Sequence, residues 1–360
     1  MNKNIPISRF QFFGALLGIQ AGARYFTLPR EVGQVAGNDA WLSVLLAGML
    51  IMGITLMMVY TASLFPGETI TMYSRRVLGN IGGLLFNYLL GITILGLILL
   101  QFRGFVGTIK VFMLPNTPIL AIGLVFVLGA LFLVQQGFLA IMRFIELLLL
   151  PMTIIYFLIT ILCFQQADPS EVKPFLYNGI LPVIKGIVPA LGCTGPELIA
   201  GFLYVHVRPE RHAMRIAALA GAVSLFRMLL LMLTAIMSLG AHEISHLVFP
   251  GITVFKTIDL PALLITEKAE AIVMSIIIPI AFIVLVEALY FSGRCVQDTI
   301  HTRIAAKIPY ILTAVVAGTC LVPLDAIELE QIVKVFHWHT VFFSLGVLPA
   351  FTLLARLRVN

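Results

Sequence analysis

Apolar stretches of about 20 residues recur from one end of the chain to the other, each long enough to cross about 30 Å of hydrocarbon. Inside a bilayer every backbone N–H and C=O must find its partner within the protein, so stretches this long and continuous are helices. The rest of the composition agrees: of 360 residues, 60% are hydrophobic and 11% are charged, against about 25% charged in a soluble domain. No polar segment is long enough for a soluble domain. The expected fold is therefore an all-α integral membrane protein with the lipid bilayer as its solvent, residues 1–360 forming one transmembrane domain.

Ten spans are expected, at about 8–35, 41–64, 84–112, 118–134, 138–164, 182–207, 215–239, 268–293, 305–322 and 337–356. Lys3, Arg9 and the apolar run from Phe10 to Ile19 have the look of a cleavable signal peptide. The apolar pattern resumes at Tyr25, however, and Ser8 with Gln11 makes a capping box, so a retained first helix is the preferred reading. With the N-terminus cytoplasmic, thirteen Lys and Arg residues fall in inner segments and seven in outer ones, which places both termini inside. The net charge of +6 is spread over short loops and makes no nucleic-acid patch. Cys163, Cys193, Cys295 and Cys320 are far apart and read as core residues. No cofactor is expected.

Two spans break their own helix. The first carries "GIQAGARYFTLPR" (Gly18 to Arg30) and the sixth carries "PALGCTGPELIAG" (Pro189 to Gly201). They are the first members of two five-span halves, about 8–164 and 182–356. Broken helices at matching positions point to an inverted-repeat transporter with its site near mid-membrane. A break offers N–H groups at one stub, which attract a carboxylate, and carbonyls at the other, which attract a cation. Gly22, Ala23 and Arg24 would present N–H groups, and Ala190, Leu191 and Gly192 would present carbonyls. Such a pair suits a zwitterion such as an amino acid.

Thr194 and Glu197 stand at capping-box spacing with Pro196 between them, so Glu197 reads as a helix cap, as a ligand or proton group, or as both. Arg24 reads as a partner of Glu197 that staples the breaks, or as a contact for a substrate carboxylate. Arg103, Glu146, Arg227 and Glu287 are the other ionisable groups in spans, with Arg143 and Glu146 expected to snorkel at an inner end. Glu287 is a candidate proton site or a partner for a buried arginine. Ile276 to Phe291 contains no Ser or Thr, which favours protons over sodium as a coupling ion.

"HEISH" (His242 to His246) matches the H-E-x-x-H zinc signature, with Glu267 as a third ligand in a membrane zinc hydrolase. Pro250 and Gly251 cut any helix short there, so a surface loop folded over the outer vestibule is preferred. "HWH" (His337 to His339) is expected to be an interfacial anchor at the start of span ten. "FPGETITMYSRRVLGNIGG" (Phe65 to Gly83) is expected to be an inner amphipathic helix capped at Thr69 and stopped at Gly79, with Arg75 and Arg76 facing headgroups or cytoplasm.

Taken in order, "ISRFQFF", "LPREVGQVAGNDAWLS", the Phe65 to Gly83 stretch and "LPVIKG" before the broken sixth span resemble the B subunit of spore germinant receptors. These are the endospore germination permeases of the amino acid–polyamine–organocation superfamily, and the resemblance covers nearly the whole chain. It implies a LeuT-type 5+5 inverted repeat of ten helices with helices 1 and 6 broken. It implies nutrient sensing at the inner membrane of a dormant spore, together with an A subunit and a C-subunit lipoprotein. Carried onto this sequence, the germinant pocket is lined by Gly22, Ala23, Arg24, Gly192, Cys193, Thr194 and Glu197, completed by spans three and eight. Arg24 departs from the small or apolar residue expected after the span-one glycine. A proton-coupled amino acid symporter of the same fold is the alternative, and the sequence does not separate the two.

Overall fold

The computed structural model describes residues 6–18, 23–193, 197–207, 212–257, 269–299, 303–322 and 326–359. Among them the chain is helical throughout. In order run α1 (Arg9–Gly18), α2 (Leu28–Ala36), α3 (Ala40–Ser63), α4 (Ile70–Phe112), α5 (Ile119–Gln135), α6 (Phe138–Cys163), α7 (Ile180–Gly192), α8 (Glu197–Leu203), α9 (Ala213–Leu239), α10 (Ala241–His246), α11 (Pro250–Thr253), α12 (Ala269–Gln297), α13 (Ile308–Gly318), α14 (Ala326–Phe342) and α15 (Leu348–Val359). Among the described residues, six helical stretches are long and apolar enough to cross a bilayer, and Ile119–Gln135, Ile180–Gly192 and Ala305–Gly318 are shorter apolar helices. The outward faces are themselves apolar, with Val125, Leu128 and Phe132 of α5, Leu147 and Leu158 of α6 and Phe226 of α9 exposed. A face of that kind belongs against lipid rather than water.

Local chemistry sets where these helices begin and end. At the start of α1 the Ser8 N–H donates to Gln11 Oε1 and the Gln11 N–H donates to Ser8 Oγ, each at 3.0 Å, which is the expected capping box. Gly79 stops the amphipathic helix as expected: its φ of 76° lies where side chains are strained, and the chain kinks there before running on to Phe112. Thr69 takes the N-cap position of α4. Arg76 pairs with Glu68 at 2.7 Å on the surface. Arg75 differs from expectation. Its Nη2 donates to the carbonyls of Asp298 and Thr299 just past α12, where helix carbonyls lack partners of their own.

The last span is also longer than its sequence suggests. Glu328, Glu330 and Lys334 disguise its start, yet α14 begins at Ala326 and runs through a π turn (Phe343–Val347) into α15. His337 therefore lies inside the helix and is buried, so it is not an interfacial anchor; Trp338 is the residue that faces outward. Cys163, Cys193 and Cys295 are buried as expected, Cys320 is half-buried, and none is in a disulfide.

Candidate ligand site at the paired helix breaks

Both expected interruptions are present. In the first span the described part of α1 ends at Gly18, and beyond residues 19–22 a 3-10 turn over Ala23–Phe26 leads into α2 from Leu28, with Pro29 in its first turn. The sixth carries Pro189, stops as α7 at Gly192 with Cys193 as its C-cap, and continues as α8 from Glu197. The halves pair in space, α1 packing on α8 and α2 on α7. A backbone bond from the Ile7 N–H to the His206 carbonyl, 2.8 Å, ties the entry of α1 to the exit of α8. The two breaks thus lie side by side. Gly22 and Thr194 fall outside the described residues, as do the side chains of Ala23, Arg24 and Glu197, so the expected Arg24–Glu197 pair and the Glu197 cap lie beyond the description.

At the C-terminal end of α1, Gly18 faces Glu287 of α12. A Cβ placed on Gly18 would sit 3.2 Å from Glu287 Oε2 and 3.0 Å from Ile283 Cγ2, so the bare glycine is what lets the carboxylate approach. Glu287 is fully buried, and among the described residues neither oxygen has a hydrogen-bond partner. No described arginine partners it, which removes that reading for Arg103 and Arg227. An ionised carboxylate buried without a partner costs several kcal/mol. The group therefore requires a proton or a cationic partner, and the Arg24 side chain lies outside the described residues.

Past the break, the Tyr25 hydroxyl donates to the Arg227 carbonyl and lies 2.9 Å from the Tyr156 hydroxyl. The Arg227 guanidinium carbon stands 5.1 Å from the centre of the Tyr25 ring, a cation–π contact. Arg227 is buried on α9, and its Nε and Nη2 have no hydrogen-bond partner among the described residues. Between α4 and α12, beside Leu198 of α8, runs a narrow apolar crevice lined by Ile98, Val284 and Ala288. Its one polar side chain is Gln101, whose Oε1 is buried without a described partner. The lining of this crevice is therefore apolar apart from a single amide.

On the other side of the break, three residues from three helices converge. Glu31 of α2 lies with Oε2 3.4 Å from His337 Nε2 of α14 and 3.7 Å from Cys193 Sγ at the end of α7. Thr27 Oγ1 donates to Glu31 Oε1 at 2.7 Å. Sequence reasoning named Cys193 for another reason, took His337 for an anchor and passed over Glu31. The available signal was a carboxylate inside the broken span, directly after "LPR".

The "HEISH" motif forms α10, which packs on α2: Gln34 Nε2 donates to the Ser245 carbonyl at 3.0 Å, and Ile244 covers Gly33. His242, Glu243 and His246 point outward and are exposed, and Glu267 lies outside the described residues. Among the described residues the one group of His, Cys and acidic side chains close enough to share a metal ion is Glu31, Cys193 and His337, not this motif.

Comparison with known proteins gives one consistent picture. Residues 6–326 match the model of the spore permease family, described as spore germination protein. The chain is 26% identical over 294 residues to spore germination protein YndE of Bacillus subtilis (strain 168), covering 80% of this chain and 79% of that one. It is 24% identical to spore germination protein A2 of the same organism, covering 82% and 81%. It is also 24% identical to spore germination protein GerQB of Bacillus cereus, covering 76% of each. Among solved structures it resembles a mutant of the manganese transporter of Eremococcus coleocola, with a TM-score of 0.62, 13% identity and coverage of 96% and 78%. It also resembles MhsT in complex with L-phenylalanine, with a TM-score of 0.60, 16% identity and full coverage of both chains. At these identities the solved structures speak to the fold alone, a transporter fold.

Proposed function

The chain belongs to the spore germination protein family, and from that premise we propose that it is the membrane subunit of a nutrient-germinant receptor. It binds a small nutrient, an amino acid first among candidates, at the paired breaks and signals germination from there. Family membership and a transporter fold support a membrane role in nutrient sensing or transport rather than catalysis. The observation that carries the finer reading is Glu287, a buried carboxylate without a described partner, held against the end of α1 by the bare face of Gly18.

The reading assigns roles as follows. Gly22, Ala23 and Arg24 line the nutrient site from the first break, and Gly192, Cys193, Thr194 and Glu197 line it from the second. Glu287 takes the nutrient ammonium or a proton, because a buried carboxylate favours a positive partner. Arg227, beside Tyr25, supplies the countercharge for the carboxylate. The domain is a 5+5 inverted repeat of ten spans, with halves about 8–164 and 182–356. It sits in the spore inner membrane with both termini cytoplasmic, alongside A and C subunits.

A second reading, a proton-coupled amino acid symporter, is favoured by the same Glu287 and by the lack of Ser and Thr from Ile276 to Phe291. Radiolabelled amino acids offered to purified protein in sealed proteoliposomes, with and without an inward proton gradient, separate the two. Binding without accumulation is the expected result. Accumulation driven by the gradient replaces the receptor with the symporter, and no binding of any amino acid removes the proposed ligand class. Glu197→Gln and Arg24→Ala each weaken the response; if both single variants and the double variant respond as the unaltered protein does, the residues assigned to the breaks are wrong.

A further inference from the structure

We propose that Glu31, Cys193 and His337 form a site for a divalent metal ion of the zinc class, a role beyond the nutrient-site lining already assigned to Cys193. The three ligand atoms all lie within 4.8 Å of one another. A tetrahedral zinc ion with bonds of ordinary length sets nitrogen and oxygen ligands about 3.4 Å apart and sulfur and oxygen ligands about 3.6 Å apart. The corresponding separations here are 3.4 Å for His337 Nε2 to Glu31 Oε2 and 3.7 Å for Cys193 Sγ to the same oxygen. Two edges of the coordination polyhedron are therefore already set, and the third, from Sγ to Nε2, closes by ordinary side-chain adjustment.

The surroundings fit a metal. His337 is buried at 3% exposure and Cys193 at 1%, so water does not compete freely for either. The imidazole lies flat on Gly192: a Cβ there would fall 1.9 Å from His337 Cδ2, so the residue before the cysteine ligand must be glycine for the ring to reach its place. Thr27 donates to Glu31 Oε1, leaving Oε2 turned toward the other two ligands. A hydrogen bond of that kind orients a ligating carboxylate. Charge also balances: a carboxylate and a thiolate neutralise a divalent ion, whereas either charge alone is costly in a buried site. The donor set decides the class. Thiolate and imidazole favour zinc and its softer neighbours, while manganese and magnesium prefer oxygen. Three protein ligands leave the fourth tetrahedral position to water or to a group arriving from the adjoining break. Because the ligands come from α2, α7 and α14, the ion would lock together the halves of both broken spans that lie on this side of the breaks.

The experiment uses the full chain in nanodiscs, stripped with chelator and titrated with zinc, cobalt and manganese against a chromophoric competitor. The expected result is stoichiometric zinc, manganese bound at least about tenfold more weakly, and a thiolate-to-cobalt charge-transfer band. Cys193→Ser abolishes that band, and Glu31→Gln and His337→Ala each weaken zinc at least about tenfold. Thermal unfolding of each metal-stripped variant shows whether it is folded, and the near-isosteric Cys193→Ser and Glu31→Gln keep the test open if His337→Ala is not. Zinc binding that persists in all three variants and disappears in His242→Ala/His246→Ala assigns the metal to the surface motif and overturns the proposal. Absence of the cobalt band in the unaltered protein, with Glu31→Gln merely less stable, reduces the triad to an ion pair and overturns it as well.

Discussion

The two ends of α1 each face a carboxylate, and they treat it in opposite ways. At the start, Ser8 and Gln11 satisfy each other's backbone groups, and the Gln11 amide, its oxygen already engaged, donates to Glu146 Oε2 at 2.7 Å. Ser8, Gln11 and Glu146 are thus joined by named bonds, and Glu146 remains half-buried. At the far end Glu287 sits deeper, against Gly18, and neither oxygen has a partner among the described residues. Buried polar groups in proteins are as a rule hydrogen-bonded, so the exception calls for an explanation. The difference shows that one helix can be fixed at its base by structural polarity and still face, at its other described end, a carboxylate without a partner among the described residues.

The largest expected effect separates those ends outright. Glu287→Gln lowers nutrient response at least about tenfold while leaving the unfolding temperature unchanged or raised, because the amide needs no countercharge where the carboxylate does. A normal response in that variant, scored by germination of spores carrying it, would end the distinction. Gly18→Val comes next. Its side chain meets Ile283 and the Glu287 carboxylate, costs about 1–3 kcal/mol of overpacking and lowers the response by moving the carboxylate.

Gln11→Ala works on the other end. Losing the cap and the bond to Glu146 costs about 1–2 kcal/mol, read by thermal unfolding in nanodiscs, with the response per folded molecule unchanged. If instead the response falls as far as in Glu287→Gln, both ends belong to one functional circuit. The smallest effect is expected at α10, where His242→Ala with His246→Ala stays within about 0.5 kcal/mol and leaves nutrient response intact.

Much of this was legible in the sequence. The capping box at Ser8, the stop at Gly79 and the breaks within Gly18–Arg30 and Pro189–Gly201 rest on residues a few positions apart, and their backbone preferences act locally. Glu287 stood out because a carboxylate in an apolar helix is costly wherever it is placed. What it faces was not legible, since Gly18 lies on another helix, and neither was the docking of Arg75 on the end of α12. His337 was misplaced because Glu328, Glu330 and Lys334 read as loop when they form the first turns of a long helix.

The sequence by itself determined that the chain is a helical membrane protein, where two of its helices break, and which germination permeases it resembles. These follow from solvation of apolar side chains and from backbone conformation, which neighbours in the chain control. Only the tertiary structure decided that α1 pairs with α8 and α2 with α7, that Glu287 meets Gly18, and that Glu31, Cys193 and His337 converge. Those residues are joined by packing between helices far apart in the chain, and no local preference encodes which faces will meet.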